Sequence, residues 1–325
     1  MSTMKRPTAS LLIHPDELNR KWIDRCVSLG IPTLSLHPVG GFRSPLTMKD
    51  LLEKLKTAEY RALIDEAIEK GLTIEYEMHA ARYFLPKTEF ESHPEWFRMD
   101  TEGNRTPKLN CCASSKEGLD FIAKRAAEAA KGLYRSSHRY FFWMDDSKED
   151  IRCHCPECEK YSASDQQLLI MNRILEELRK DDSEATLAYL AYYDTLVPPT
   201  KIKPADGIFL EYAPIDRDFH KPLSDANDEK NESQYRHLKA LLEFFGKDTA
   251  KALDYWLDNS LFSNWTKPPQ PFTADADVIH ADFDHYRALG FRDISTFACY
   301  LGEDYIALHG EPDITPFAKA YHKIG

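Results

Sequence analysis

Short runs of apolar residues alternate along the chain with stretches in which apolar residues recur at helical spacing. The apolar runs are rich in Leu, Ile, Phe, Tyr and Thr, as expected of strands buried in a parallel sheet. They predict strands at residues 10–14, 32–37, 72–79, 139–145, 185–193, 207–212, 250–256 and 293–299. The amphipathic stretches predict helices at residues 17–29, 48–70, 116–131, 163–180, 232–245, 277–289 and 314–322.

Eight strands alternating with helices predict an α/β fold, a single (β/α)8 TIM barrel over residues 1–325. The alternative is an open doubly wound sheet. Such a sheet would carry a Gly-rich phosphate loop after its first strand, where this chain has His14-Pro15-Asp16. Two connections are long, residues 80–115 after the third strand and the Cys-rich residues 147–162 after the fourth. The Pro-rich residues 197–203 leave little room for a helix after the fifth strand.

Net charge and hydropathy limit the classes of partner that the chain is expected to bind and its expected location. The chain has 42 Lys and Arg against 53 Asp and Glu, a formal net charge of −11, which argues against nucleic acid or an anionic membrane. A neutral sugar remains compatible with this charge. The first residues lack the apolar run of about 7–15 that a secretory signal needs, and no run approaches the roughly 18 residues of a membrane span. We therefore expect a cytoplasmic protein.

Polar and aromatic residues collect at the predicted strand ends, where enzymes of this fold carry their active sites. Each one alone is compatible with a structural hydrogen bond or a helix cap. Together they provide the carboxylates and flat aromatic faces that a sugar-binding cleft needs. The predicted substrate-binding residues are His14, His37, His79, Arg82, Tyr193, Tyr212, Trp256, Asp258, Asn259 and Tyr300.

Asp145 and Asp146 end the fourth apolar run and are the predicted catalytic residues. Two adjacent carboxylates do not easily both stay ionised at low dielectric, so the pKa of one is expected to rise. The protonated member would act as general acid toward a glycosidic oxygen. Its ionised neighbour would orient a substrate acetamido group that serves as internal nucleophile.

Three cysteines, Cys153, Cys155 and Cys158, follow in the same connection as C-x-C-x2-C. This spacing brings three sulfurs together, and His154, Cys111 or Cys112 would complete a tetrahedral zinc site. Structural zinc, free thiols and a labile disulfide all remain open interpretations. Catalytic zinc is not expected, because the chain has no H-E-x-x-H motif or comparable His cluster. No cofactor is therefore expected to be required for catalysis.

Several of these segments resemble a family of bacterial proteins described as a domain of unknown function, some of which are classed in glycoside hydrolase family 163, the endo-β-N-acetylglucosaminidases of N-glycans. The resemblance extends over residues 75–304. It is carried by His79, His93-Pro-Glu-Trp-Phe97, Gly103-Asn-Arg105, Leu109-Asn-Cys-Cys112, Asp146, Cys153-His-Cys-Pro-Glu-Cys158, Leu187-Ala-Tyr-Leu-Ala-Tyr192, Val197-Pro-Pro199, Lys203-Pro204 and Asp254-Tyr-Trp256.

The resemblance implies a barrel of the glycoside-hydrolase type and a retaining mechanism through the 2-acetamido group of the substrate. It implies Asp146 as general acid and Asp145 as the residue that orients the acetamido group, with His79, Tyr193 and Trp256 lining the sugar subsite. Relatives often carry a non-acidic residue where Asp145 stands. The expected activity is that of a β-N-acetylhexosaminidase-like glycosidase on a glycan that contains N-acetylhexosamine.

Two other functions remain as alternatives. One is a metal-dependent sugar isomerase or epimerase, with Glu75, His79, Asp145 and Glu211 around a divalent cation, since oxygen and imidazole ligands suit Mn²⁺ or Mg²⁺. The other is a barrel that binds carbohydrate without turning it over, because a fold does not determine a function.

Overall fold

The computed structural model describes residues 8–323 and contains a closed barrel of parallel strands in the order β1 to β8. The (β/α)8 fold predicted from the sequence is confirmed. The strands are β1 Thr8–Ile13, β2 Thr33–Leu36, β3 Thr73–His79, β4 Arg139–Trp143, β5 Thr186–Ala191, β6 Ile208–Tyr212, β7 Lys251–Asp254 and β8 Asp293–Phe297.

The α-helices within the described residues alternate with these strands, and short 3-10 turns follow several strands. The helices are α1 Arg20–Leu29, α2 Ser44–Lys54, α3 Ala58–Glu69, α4 Ala81–Phe84, α5 Lys116–Gly132, α6 Ala163–Leu178, α7 Glu229–Tyr235, α8 Leu238–Phe245, α9 Asn259–Phe262, α10 Ala276–Leu289, α11 Glu303–His309 and α12 Thr315–His322. None of these described helices has the length and apolar character needed to span a bilayer.

Two predicted helices are wrong in extent. The helix predicted at residues 48–70 is two helices, α2 and α3, because the hydroxyl of Thr57 accepts a hydrogen bond from the Tyr60 amide at 3.3 Å and caps a new helix. The helix predicted at residues 232–245 is divided into α7 and α8. Within the described part of the chain, no α-helix lies between β5 and β6, as the Pro-rich segment predicts. A 3-10 turn at Tyr193–Leu196 takes its place.

The described chain divides into two compact units. Unit 1 comprises residues 8–37, Ala62–Glu75 and residues 210–323, and it contains β1, β2, β7 and β8. Unit 2 comprises Pro38–Arg61 and Tyr76–Phe209, and it contains β4 and β5. The boundaries fall within β3 and within β6, so the units share those strands.

Within unit 2, the register of β3 and β4 positions the predicted site. Glu77 pairs with Phe141, and His79 pairs with Trp143. Side chains alternate between the two faces of a strand, so Tyr76 faces away from Glu77 and donates its hydroxyl to the carbonyl of Tyr134 at 2.5 Å. The polar ends of β3 and β4 are therefore held side by side.

Candidate active site

Asp145 follows β4, and both of its carboxylate oxygens face other groups of unit 2. Oδ2 accepts a hydrogen bond from the Asn110 amide at 2.5 Å, and the Asn110 side chain accepts one from the Asp145 amide at 2.9 Å. Oδ1 lies 3.2 Å from Nε of Arg82. The Asp145 side chain is 1% exposed, which leaves almost none of its surface for a substrate.

Burial raises the pKa of Asp145 above its ordinary value, while Arg82 and the Asn110 amide oppose that rise. The sequence predicts a raised pKa for one member of the acidic pair, caused by the charge of the other. The structure gives a different main cause, because removal of the carboxylate from water disfavours its charged form. The raised pKa falls on the buried Asp145, which is closed to a substrate, so it does not mark the general acid as the sequence predicts.

Asp146 is partly exposed, and its Oδ1 accepts a hydrogen bond from the hydroxyl of Tyr192 at 3.1 Å. Its Oδ2 lies beside Gly40. A methyl group on Gly40 would be 3.1 Å from this oxygen and 2.9 Å from Cδ2 of His79. Gly40 has an ordinary φ of −77°. The close approach of its backbone to Asp146 and His79, and not backbone freedom, therefore explains the glycine, because a side chain has no room there.

His79 ends β3 and is oriented by a carbonyl group. Its Nδ1 lies 2.6 Å from the carbonyl oxygen of Met144. A carbonyl can only accept, so Nδ1 carries a proton and donates it to Met144. The imidazole also packs edge-on against Trp143, with ring centroids 5.1 Å apart. The ring is thus fixed in one orientation close to Asp146.

Tyr193 begins the 3-10 turn after β5 with a φ of 47°, a left-handed conformation that residues other than glycine rarely adopt. Its ring lies 4.0 Å from that of Tyr192, and the Lys148 ammonium is 5.5 Å from its centroid. Backbone strain of this kind is often stored at functional sites.

Unit 2 brings together five of the predicted site residues, namely His79, Arg82, Asp145, Asp146 and Tyr193.

Unit 1 brings together three other predicted residues, His14, His37 and Tyr300, from the ends of β1, β2 and β8. Nδ1 of His14 lies 2.8 Å from the carbonyl of His37, and burial lowers the pKa of His14. The ring of His14 is 5.9 Å from that of His37 and 5.8 Å from that of Tyr300. Tyr300 has a φ of 62°, again in the left-handed region.

Glu17, which the sequence pattern does not mark as a site residue, lies beside His14 in unit 1. Burial raises the pKa of Glu17 to about 7, and Oε2 accepts a hydrogen bond from the His14 amide at 3.1 Å. In the sequence, Glu17 is a glutamate shortly after the first predicted strand, where it resembles an ordinary capping residue.

Asp258 and Asn259 lie after β7, where both are buried and structure the following turn. Asp258 Oδ1 accepts hydrogen bonds from the Ser260 amide at 3.1 Å and the Ser260 hydroxyl at 2.5 Å, and burial raises the pKa of Asp258 to about 6. The Asn259 amide donates to the carbonyl of Gln270 at 3.0 Å. Asp258 therefore caps α9, and the side chain of Asn259 stabilises the following turn through Gln270.

Tyr212 and Trp256 are buried in the wall of unit 1. The Tyr212 hydroxyl donates to the Gln234 carbonyl at 3.0 Å. Trp256 donates from Nε1 to Asp282 at 2.9 Å, and its ring stacks on Phe283 at 5.5 Å. These contacts support packing roles in place of the predicted contact with sugar.

The carboxylates of the isomerase alternative are engaged with cations of the chain itself. Glu75 and Glu211 lie 3.9 and 3.4 Å from the buried ammonium of Lys251 in unit 1. Asp145 faces Arg82 in unit 2. A lysine ammonium occupies the position between the two glutamates where the alternative requires a divalent ion, so nothing in this arrangement favours that function.

Four residues of unit 2 that the site uses were not among the predicted ones. Asn110 and Tyr192 hold the two aspartates, Gly40 packs closely against His79 and Asp146, and the ring of Phe42 lies 5.0 Å from the Arg82 guanidinium and is 88% exposed. The signals in the sequence are a tyrosine at the predicted end of β5 and Gly40-Gly41-Phe42 after β2. Asn110 lies in Leu109-Asn-Cys-Cys112, a segment that carries the family resemblance, but its contact with Asp145 is known only from the fold.

Cys153, Cys155 and Cys158 are buried in the connection from β4 to α6. Together with Cys112, which precedes α5, they place four sulfur atoms within 4.8 Å of one another. These cysteines join the two long connections of unit 2 next to the aspartate pair.

A sequence profile described as domain of unknown function DUF4838 matches residues 46–244, more than half of the chain. The chain belongs to the DUF4838 family. The matched segment includes the aspartate pair, Tyr192 and the four clustered cysteines of this DUF4838 protein. No curated protein sequence matches the chain.

Several solved structures that are similar to this DUF4838 protein are of glycosidases. A glycoside hydrolase family 5 enzyme of Prevotella bryantii B14, in complex with a xyloglucan tetradecasaccharide, aligns with a TM-score of 0.55 and 12% identity over 94% of this chain and 87% of that one. A broad-specificity endoglucanase of the same hydrolase family, from an uncultured bacterium, aligns with a TM-score of 0.53 and 11% identity over 94% and 85%. A β-galactosidase of Marinomonas ef1 gives 0.55 and 14% over 97% and 58%. At these identities the likeness shows the fold alone.

Proposed function

We propose that this DUF4838 protein is a glycosidase that hydrolyses a β-linked N-acetylhexosaminide, with Asp146 as the general acid and base. The observation that carries the proposal is the environment of Asp146 at the carboxyl end of β4. It is partly exposed, its Oδ1 is held by Tyr192, and its Oδ2 lies where the backbone of Gly40 packs closely against Asp146 and His79. Active sites of (β/α)8 enzymes lie at this end of the strands.

Asp145 favours a mechanism in which the substrate supplies its own nucleophile. Its two oxygens face Arg82 and the Asn110 amide, and its side chain is almost fully buried, so it is poorly placed to bond to a sugar carbon. A 2-acetamido group can replace the missing carboxylate by attacking C1 from within the substrate. Asp145 is then proposed as a positioning residue that fixes the backbone before Asp146, in place of its predicted role of orienting the acetamido group.

The proposed reaction has two steps. The acetamido oxygen attacks C1 while Asp146 protonates the glycosidic oxygen, and the leaving alcohol departs with its electron pair and that proton. Water then attacks C1 of the cyclic oxazolinium ion, Asp146 removes a proton from the water, and the acetamido group is restored. The configuration at C1 is retained. His79 and the ring of Tyr193 are proposed to contact the sugar.

Two further points support the proposal. The fold is shared with glycosidases at TM-scores of 0.53 to 0.55, and the segments quoted from this chain resemble proteins classed in glycoside hydrolase family 163. The contacts of unit 2 alone carry the assignment of Asp146, because Trp256 and Tyr212 have packing roles.

The test is release of 4-methylumbelliferone from a panel of aryl glycosides. The panel contains the β-N-acetylglucosaminide, the β-N-acetylgalactosaminide, the β-N-acetylchitobioside for endo action, the β-glucoside and the α-glucuronide. We expect turnover only of 2-acetamido sugars, and a loss in Asp146→Asn of about 100- to 10,000-fold in kcat/KM. A 2,4-dinitrophenyl leaving group needs no protonation, so it should restore much of the lost rate.

Two variants serve as comparisons. Glu149→Gln changes an exposed carboxylate three residues beyond Asp146 and should keep wild-type kinetics. Gly40→Ala should lower kcat/KM because its methyl group crowds His79 and Asp146. Turnover of the β-glucoside or the α-glucuronide at similar rates would contradict acetamido assistance. No turnover of any member of the panel would contradict the proposed activity.

A further inference from the structure

Four cysteine sulfurs converge in unit 2 at distances that suit one metal ion. The Sγ atoms of Cys112, Cys153, Cys155 and Cys158 all lie within 4.8 Å of one another, and Cys112 Sγ is 3.7 Å from that of Cys155 and 3.8 Å from that of Cys158. A tetrahedron with Zn–S bonds of about 2.3 Å has edges of about 3.8 Å. The observed spacing is therefore that of a tetrathiolate site.

The other two interpretations of the cysteines fit less well. A disulfide requires sulfurs about 2 Å apart, whereas all four cysteines are free. Free thiols without a shared ligand would not explain why four sulfurs from two separate connections lie in one buried cluster. An iron–sulfur cluster holds its cysteine sulfurs farther apart than a single ion does. One tetrahedral ion with sulfur ligands is then most simply zinc.

The structure also selects the fourth ligand. Both ring nitrogens of His154 are engaged, Nε2 with Asp150 at 2.7 Å and Nδ1 with Glu159 at 2.9 Å. Cys111 is buried but is not part of the sulfur cluster. Cys112, which the sequence left as one option among these, is the residue that completes the set.

The sulfurs are surrounded by groups from which a thiolate can accept hydrogen bonds. The amide of Met99 donates to Cys153 Sγ at 3.3 Å, and Nη1 of Arg105 lies 3.8 Å from the same sulfur. The Ser114 hydroxyl lies 3.2 to 3.5 Å from the sulfurs of Cys112, Cys155 and Cys158, and its one proton can be donated to one of them. Such outer groups stabilise and orient the ligands of metal sites.

We propose that Cys112, Cys153, Cys155 and Cys158 bind one structural zinc ion that ties residues 80–115 to residues 147–162. Four protein ligands leave no open position on the ion, so it takes no direct part in catalysis. Asn110, which holds Asp145, is two residues before Cys112, and Cys153 is seven residues after Asp146. The ion would therefore fix both segments that position the aspartates. The proposal does not depend on the glycosidase activity.

The test is the metal content of the full-length protein, purified without chelator or added metal and measured by plasma mass spectrometry. We expect about one zinc per chain, with four sulfurs at about 2.3 Å in X-ray absorption spectra. Cys112→Ser should lose the zinc. The matched control is Cys111→Ser, an adjacent buried cysteine outside the cluster, which should keep it. His154→Ala should also keep it.

Stepwise addition of a mercurial to the wild-type protein gives a second readout that needs no variant. Zinc should be released as the thiols react, even if Cys112→Ser fails to fold. The proposal is overturned if the wild-type protein contains no metal, contains iron in place of zinc, or has these cysteines in disulfides by mass spectrometry. Equal zinc loss in Cys111→Ser or His154→Ala, or nitrogen in the ligand shell, would overturn the ligand assignment.

Discussion

Asp145 and Asp146 are adjacent in the chain but have different surroundings. Asp145 is closed off by Arg82 and Asn110, whereas Asp146 stays partly exposed with its Oδ2 beside Gly40. The chain curls at the end of β4, so one carboxylate enters the packed interior of unit 2 while the other stays partly exposed. The proposed role of each carboxyl group follows from this difference. The buried and paired Asp145 fixes the position of its neighbour, and the accessible Asp146 can exchange a proton with a substrate.

Glu17 gives a pH-dependent prediction at the same scale. Its pKa is raised by burial from 4.5 to about 7, so on raising the pH the unfolded chain loses this proton first. The raised pKa therefore lowers the free energy of unfolding between about pH 4.5 and 7, by at most about 3 kcal/mol. Glu17→Gln removes this contribution, so its stability relative to wild type should increase with pH across that window.

The measurement is urea unfolding of both proteins at half-unit steps from pH 4.5 to 8. Asp16→Asn, a change at the exposed neighbouring residue, is the control and should run parallel to wild type. A constant difference between Glu17→Gln and wild type at all pH values would contradict a raised pKa for Glu17.

Among the elements, Asp165 links α6 to the irregular connection between β5 and β6. Its Oδ1 accepts hydrogen bonds from the amides of Thr200, Lys201 and Ile202 at 2.8 to 3.0 Å, and the Ser162 hydroxyl caps α6 by accepting from the Asp165 amide at 3.0 Å. Burial alone would raise the pKa of Asp165, but these amides and Ser162 hold it below its ordinary value. The Asp165 carboxylate thus provides the hydrogen-bond acceptor for three backbone amides in the irregular connection between β5 and β6.

Asp165→Ala should lower the free energy of unfolding by about 3 kcal/mol or more, because three backbone amides lose their acceptor. Ser162→Ala removes only the helix cap and should cost about 1 kcal/mol. Since the pKa of Asp165 is lowered in the folded state, its contribution is complete above pH 4 and is lost as the pH falls below that value. Urea unfolding at pH 7 and at pH 3 compares the variants, and equal losses in both at pH 7 would contradict this role.

The strands could be predicted from the sequence because each is a continuous apolar run, and all eight predictions overlap the observed strands. The break at Thr57 could not, because helical spacing continues through it and only the hydroxyl contact with Tyr60 marks a new helix. The acidic pair at the end of β4 was also visible. Its partner Asn110 was not, because it lies 35 residues away in a connection without periodicity.

For the molecule as a whole, the number of strands and their order do not determine a reaction, and the buried charges of unit 1 mainly stabilise the fold. Arg217, in the connection after β6, lies 2.7 Å from both Asp254 and Asp282 with no exposed side-chain surface. Tyr286 donates to Asp254 at 2.8 Å, and Trp256 donates to Asp282. This network accounts for the burial of Trp256 and connects β7 to α10.

Arg217→Met should lower the free energy of unfolding by about 3–5 kcal/mol, because it leaves two carboxylates buried without their cation. Arg236→Met is the matched control. It removes an arginine of similar size from an exposed pair with Glu232 on α7 and should change stability by no more than about 0.5 kcal/mol. Burial already raises the pKa of Asp282 to about 6, so the variant should lose more stability at pH 8 than at pH 5, where the acid can take up a proton. Urea unfolding at both pH values decides the matter: a loss similar to that of Arg236→Met would mean that unit 1 does not need the charge network for its stability.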